Sequence, residues 1–305
     1  MQIDSSLVVE PFGKIEAFSH PDGIRVVARI RMRPQVEGAQ TGLAIDGSVS
    51  MQHLFGANLP PMFRKPEHNI MQVVAVSMAQ MLADFDSDGE TTVIYWATGL
   101  AGENIETLGD MNSSALEKFS FSGPKKFGTG TKLFPAMNYY TTERFANVPW
   151  SIFVFITDGV IEDLENVKAR SLEIAAEMAA GNRGFTKFVL IGLGAEIDER
   201  QMEELDNLDY GGLKTPEGEK IDLWDSRNAA DMTTLDTVFD ECVGENSIIS
   251  NSAVVTDSFG NPVMPLRRAS YADGLPALIE FVCAPGSTGF TVNIPSVGTF
   301  NQPLI

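Results

Sequence analysis

The sequence predicts an α/β protein. Its expected core is a doubly wound, mostly parallel sheet flanked by helices over residues 39–245, and residues 1–38 and 246–305 together build a second β domain. Three observations predict this. Continuous apolar runs recur in the middle of the chain, at Leu43-Ala-Ile45, Thr92-Val-Ile-Tyr-Trp-Ala97, Ser151-Ile-Phe-Val-Phe-Ile156 and Lys187-Phe-Val-Leu-Ile191, and such runs suit strands buried on both faces. Between them apolar residues return at helical spacing. Toward both ends the period falls to two.

Taken in order, Ile24 to Arg33 alternates, with Ile24, Val26, Ala28, Ile30 and Met32 on one face and Arg25, Val27, Arg29, Arg31 and Arg33 on the other. That arginine row is either a solvated face or a surface for acidic groups. Gln52 to Pro66 reads as a loop that either overhangs the strand end before it or packs down through Leu54, Phe55, Leu59, Met62 and Phe63. Ile70, Met71, Val74, Met78, Met81, Leu82 and Phe85 give residues 67–85 one buried helical face. A short strand and a short helix are expected within residues 100–123, and a helix from the glycine-threonine loop at Gly128 through Phe145. Leu164, Val167, Ile174 and Met178 define the helix after the Ser151 strand, with Gly181 as its stop. A short helix near Glu199 to Leu208, a strand around Ile221 to Trp224 and a helix over Asp231 to Val243 complete the core. Strands at Ala253 to Val263, Ala277 to Cys283 and Gly289 to Ile294 follow.

Composition narrows the function. The 305 residues are 44% hydrophobic and 21% charged, as in globular chains. A net charge of −19 excludes the basic surface that nucleic acid needs. No apolar run reaches a membrane span, and Met1-Gln-Ile-Asp-Ser lacks the form of a signal peptide, so a cytoplasmic protein is expected. Cys242 and Cys283 lack redox or zinc spacing and are read as reduced core thiols. His20, His53 and His68 share no ligand spacing, and Gly128 to Lys132 lacks the spacing of a phosphate loop.

The informative motif is Asp46-Gly-Ser48-Val-Ser50. It follows the first apolar strand and gathers a carboxylate and two hydroxyls at the strand's carboxyl end, where open α/β sheets keep their ligands. Oxygen donors alone, two of three neutral, suit a hard cation such as Mg²⁺. Thr131 at the glycine loop and Asp158 in Thr157-Asp158-Gly159 add further oxygens at the same expected edge.

Together these motifs resemble the von Willebrand factor A family, the integrin inserted-domain fold, whose metal-ion-dependent adhesion site joins Asp-x-Ser-x-Ser, a later threonine and the aspartate of Thr-Asp-Gly. The resemblance covers roughly residues 40–243. The sequence departs from the family's pattern at Val49, where glycine is usual, at Thr129-Gly130 before the threonine, and in the longer passage from Gln52 to Pro66. Flanking strands beside such a core are similar to integrin β chains and to some bacterial stress-associated members. The resemblance implies Asp46, Ser48, Ser50, Thr131 and Asp158 as the metal site, with Mg²⁺, or Ca²⁺ or Mn²⁺, as the ion. It further implies a protein partner that presents an Asp or Glu carboxylate, and no catalytic turnover. Two alternatives stand beside it: a metal-dependent hydrolase or phosphatase in the same crevice, with His53 as its candidate base, and a metal-independent scaffold working through Arg29 and Arg31.

Overall fold

A computed structural model describes residues 3, 7–30, 37–58, 68–193, 197–216, 218, 220–229, 248–272, 274–295 and 297–304, without the side chains of Lys14 and Ala229. Several expectations lie outside the described residues: Arg31, Met32 and Arg33, the loop from Leu59 to Pro66, Cys242 and the Asp231 to Val243 helix. The strands are β1 (Phe12–His20), β2 (Gly23–Ile30), β3 (Ala39–Asp46), β4 (Thr91–Thr98), β5 (Asn104–Met111), β6 (Trp150–Thr157), β7 (Phe185–Leu193), β8 (Trp224–Ala229), β9 (Ile248–Ser250), β10 (Val254–Asp257), β11 (Met264–Pro265), β12 (Leu275–Pro276), β13 (Leu278–Cys283), β14 (Gly289–Ile294) and β15 (Gly298–Pro303). The α-helices are α1 (Ile70–Phe85), α2 (Ser113–Leu116), α3 (Phe134–Asn138), α4 (Leu164–Ala179) and α5 (Glu199–Asp206). Among the described residues no helix is long and apolar enough to cross a membrane. The chain divides into two compact units, residues 36–238 and residues 1–35 with 239–305.

The central unit is mixed α/β. Its six strands run in the order β5-β4-β3-β6-β7-β8, all parallel neighbours except the antiparallel β4–β5 pair. The apolar runs explain the burial, because β3, β4, β6 and β7 are covered on both faces. On one face Ala44, Ile94, Trp96, Phe153, Phe155 and Phe188 pack with Met137, Val167, Ile174 and Leu205 from α3, α4 and α5. On the other, the Thr41 hydroxyl donates to the Leu82 carbonyl of α1 at 3.2 Å.

Several elements depart from the sequence reading. Ile70 is exposed, because the Asn69 carboxamide accepts from the Gln72 amide at 3.0 Å and starts α1 with Ile70 on its outer side. Met81 is only half-buried. The helix expected through Phe145 is α-helical only as far as Asn138 and then a π turn over Tyr139–Arg144, closed by the Phe145 amide on the Tyr140 carbonyl at 2.9 Å. Tyr140 there stacks on Phe153 at 4.7 Å and donates to the Thr92 carbonyl at 2.9 Å. A Cβ on Gly42 would meet its ring at 2.6 Å, so β3 has no room for a side chain at that point. The strand expected around Ile221 to Trp224 instead begins at Trp224, in register with Phe188, and its polar Asp-Ser-Arg-Asn run hid it.

The terminal unit is antiparallel. One sheet has the order β1-β2-β13-β11, a second β10-β14-β15, and β9 pairs with β12. Phe290 of β14 meets Phe12 of β1 at 5.2 Å and Phe281 of β13 at 5.1 Å, so the aromatic residues join the two larger sheets. Among the described residues of the arginine row, Arg25 meets an acidic group and Arg29 is not solvated. Arg25 donates to Glu280 of β13 at 2.5 Å, Arg267 pairs with the same carboxylate, and Arg29 is buried. Burial opposes the ionisation of Glu280, yet the bonds from both arginines hold its carboxyl below the usual range. Buried Cys283 is a free thiol whose pKa burial raises to about 11.

Asp86 ties the end of α1 to β3. Its carboxylate accepts from the amides of Thr41 at 2.8 Å and Asp88 at 2.9 Å, and burial raises its pKa from 3.8 to about 6. A raised carboxyl pKa favours the folded state at low pH and loses that contribution as the group ionises. The unfolding free energy of the wild type minus that of Asp86→Asn is therefore expected to fall as pH rises from 3.8 to about 6 and then to level. Urea titrations across this range check it, and a difference that ignores pH contradicts it.

Candidate metal centre

β3 lies between β4 and β6, with Asp46 opposite Trp96 and Ile45 opposite Ile156. The chain leaves the sheet at Gly47, whose amide donates to the Trp96 carbonyl at 2.8 Å. The glycine-threonine loop is stitched alongside: the Gly128 amide donates to the Gly47 carbonyl at 2.9 Å, and the Val49 amide donates to the Gly128 carbonyl at 2.8 Å. Two segments 80 residues apart in the chain thus share one strand end, at the isolated bridge between Ser48 and Gly128.

Asp46 is fully buried. One carboxylate oxygen accepts from the Ser48 amide at 2.7 Å and the other from the Thr157 hydroxyl at 2.7 Å. The Ser48 and Ser50 hydroxyls lie 2.9 Å apart, and the Ser50 hydroxyl donates to Asp158 at 2.7 Å. The Thr131 hydroxyl lies near that of Ser50. A Cβ placed on Gly159 would stand 3.9 Å from the Thr131 hydroxyl and 4.0 Å from that of Ser50, so both hydroxyls border the same open side of Gly159. The structure therefore brings Asp46, Ser48, Ser50, Thr131 and Asp158 to one edge of the sheet. Thr129 is turned away, with its hydroxyl on the Leu100 carbonyl.

The threonine loop is held from below. The Thr131 carbonyl accepts from the Glu162 amide at 2.9 Å, and the Asp163 carboxylate receives the Leu133 and Phe134 amides at 2.8 Å and 3.0 Å. Burial raises the Asp46 pKa from 3.8 to about 7 against the lowering effect of its bonds to Thr157 and Ser48, and the charge of Asp158 adds to the rise. Two carboxylates and three hydroxyls, with no nitrogen or sulfur donor, fit a hard divalent cation, whose charge offsets the cost of ionising both acids in one place. Among the described residues no group of three or more His, Cys, Asp and Glu is placed to hold a metal. This site has a different composition, two acids with hydroxyls.

Sequence reasoning missed two neighbours. Thr157 acts on Asp46 directly, a role signalled by its place at the end of the apolar run before Asp158. Glu162 is exposed, and its carboxylate would lie 2.7 Å from a Cβ on Gly130; no spacing rule marks it. His53 sits on a 3₁₀ turn at Ser50–His53, where its Nδ1 pairs with the Ser50 carbonyl at 2.6 Å. Beyond it in the loop, Phe55 is buried against Tyr95 and Phe127 at 5.7 Å and 5.9 Å, so the first part of that segment packs down.

No protein family and no curated protein matches the chain. Two crystal structures of the pilus adhesin SpaC from Lactobacillus rhamnosus GG, one in an open conformation, are similar to it at TM-scores of 0.42 and 0.41. Sequence identity is 11% and 10% over 96% of this chain, which spans 47% and 48% of the adhesin chains. Likeness at that level carries no argument about fold or function.

Removing the Thr157 hydroxyl leaves a buried carboxylate oxygen without its donor, which costs about 1–3 kcal/mol. Thr157→Val is expected to lower the unfolding free energy by that amount, while Ser122→Ala, at an exposed position away from the site, changes it by less than about 0.5 kcal/mol. Urea unfolding of both checks this, and equal losses contradict it.

Proposed function

We propose that the central unit is a von Willebrand factor A-like module that holds Mg²⁺, or Ca²⁺ or Mn²⁺, at Asp46, Ser48, Ser50, Thr131 and Asp158 and binds a protein partner through an acidic side chain. The observation that carries this reading is the hydroxyl chain from Ser48 through Ser50 to Asp158, beside buried Asp46 and bordered by Thr131. The strand order supports it, with a single antiparallel strand at one edge and the oxygens at the reversal between β4, β3 and β6. By the family resemblance, the hydroxyls of Ser48, Ser50 and Thr131 touch the ion and the aspartates act largely through water. Neutral contacts of this kind leave much of a divalent charge uncompensated, and that charge attracts a carboxylate from outside the chain. The reading needs no nucleophile or general base.

Calorimetric titration of Mg²⁺, Ca²⁺ and Mn²⁺ into chelator-stripped protein tests this. Saturable one-site binding is expected for the wild type and is expected to disappear in Ser48→Ala and Thr131→Ala, with the circular dichroism of both variants unchanged. Binding that survives in both folded variants contradicts the proposal.

A further inference from the structure

The segment that leads from α5 into β8 borders a cavity of about 430 Å³. It belongs to the sheet edge opposite Asp46, because α5 follows the carboxyl end of β7 and the chain must return to the amino ends before β8 can run parallel to β7. Pro216 of this segment accordingly lies 3.3 Å from where a Cβ on Gly181, just ahead of β7, would stand. Three carboxylates line the cavity, each anchored through one oxygen. Asp206 accepts from the Ser226 amide at 2.7 Å and the Ser226 hydroxyl at 3.3 Å, Asp209 accepts from the Gly211 amide at 2.9 Å, and Asp222 pairs with buried Lys187 at 3.3 Å. Among the described residues the second oxygen of each takes no hydrogen bond.

Tyr210 stands among them. It lines the same cavity at 7% exposure, and its hydroxyl has no hydrogen-bond partner among the described residues, which is rare for a buried polar group. Burial raises its pKa, and the charges of Asp222 and Asp206 raise it further against the opposing effect of the Leu223 amide. The hydroxyl is therefore a neutral O–H facing two of the three carboxylates. Lys220 alone is positive among the described lining residues, so the wall favours a cation. The carboxyl end of α5, at Asp206, favours one too. Among the described residues no group of three or more His, Cys, Asp and Glu is placed to hold a metal, so these carboxylates are spread too widely to close on one ion. Spread charges with Leu213 and Ile221 between them suit an extended cation with an apolar backbone. We propose that this cavity binds a linear aliphatic polyamine, whose ammonium groups take the open oxygens of Asp206, Asp209 and Asp222 and the hydroxyl of Tyr210 while its methylenes lie on Leu213 and Ile221. The site stands apart from the metal reading above.

Spermidine titrated into the full chain in excess Mg²⁺ tests this, with calorimetry for affinity and amide NMR shifts for position. One saturable site is expected, with shifts centred on residues 206–213 and 220–223. Butylamine, which has a single ammonium and cannot bridge the carboxylates, is expected to bind at least roughly tenfold more weakly at matched ionic strength. Asp209→Asn and Tyr210→Phe are each expected to weaken spermidine roughly fivefold. Because the Tyr210 hydroxyl has no partner to lose, Tyr210→Phe is expected to leave the urea unfolding midpoint no lower than that of the wild type, which separates a ligand contact from a structural one. No saturable binding, shifts centred elsewhere on this acidic chain, butylamine binding as tightly as spermidine, or an affinity unchanged in both variants each overturns the inference.

Discussion

The bond from the Thr157 hydroxyl to the buried Asp46 carboxylate, at 2.7 Å, joins the ends of two adjacent parallel strands, and the arrangement of the site depends on it. β3 and β6 are neighbours although more than 100 residues separate them, because the chain builds β4 and β5 on one side of β3 before crossing to the other. At such a reversal the loops part to opposite sides and leave a crevice beyond the carboxyl ends. Asp46 points into the floor of that crevice, and its two bonds fix where Ser48 leaves the sheet and where Asp158 begins. The threonine loop then runs beside Gly47 and Val49 and brings Thr131 to the same place.

Such a floor is costly. A fully buried carboxylate whose pKa rises to about 7, with a second aspartate close by, opposes the folded state when both acids ionise. The surrounding packing bears that cost. Tyr140, Phe153, Phe155, Phe188 and Trp224 form a continuous aromatic layer under one face of the sheet, and α1 covers the other face near β3. A site held this way loses little mobility when it gathers a ligand, which is what preorganised binding requires.

Much of the architecture was legible because the buried strands are written in uninterrupted apolar residues. Leu43 to Ile45 and Ser151 to Ile156 fall within β3 and β6, and Ala277 to Cys283 and Gly289 to Ile294 mark β13 and β14. Elements lacking that signal were displaced or missed. β8 opens on Trp224 and continues through Asp, Ser, Arg and Asn; β15 alternates polar side chains through Asn301 and Gln302; neither has an apolar run. The arginine row had the right period, and of its two possible settings Arg25 takes the acidic one, where no local pattern reveals Glu280 on the neighbouring strand. Asp46, Ser48, Ser50 and Asp158 were visible as motifs at strand ends. Thr157 was visible in the same motif but its bond to Asp46 was not, because that bond depends on which strands become neighbours, and no spacing marks Glu162.

The most direct measurement is the anomalous difference map of a crystal of the full chain grown with Mn²⁺. The account predicts one peak at the carboxyl edge of the sheet, within about 2.4 Å of the Ser48, Ser50 and Thr131 hydroxyl oxygens. Asp46 and Asp158 are expected one water away from it. A Mn²⁺ peak elsewhere on the chain, with none among these hydroxyls, contradicts the account.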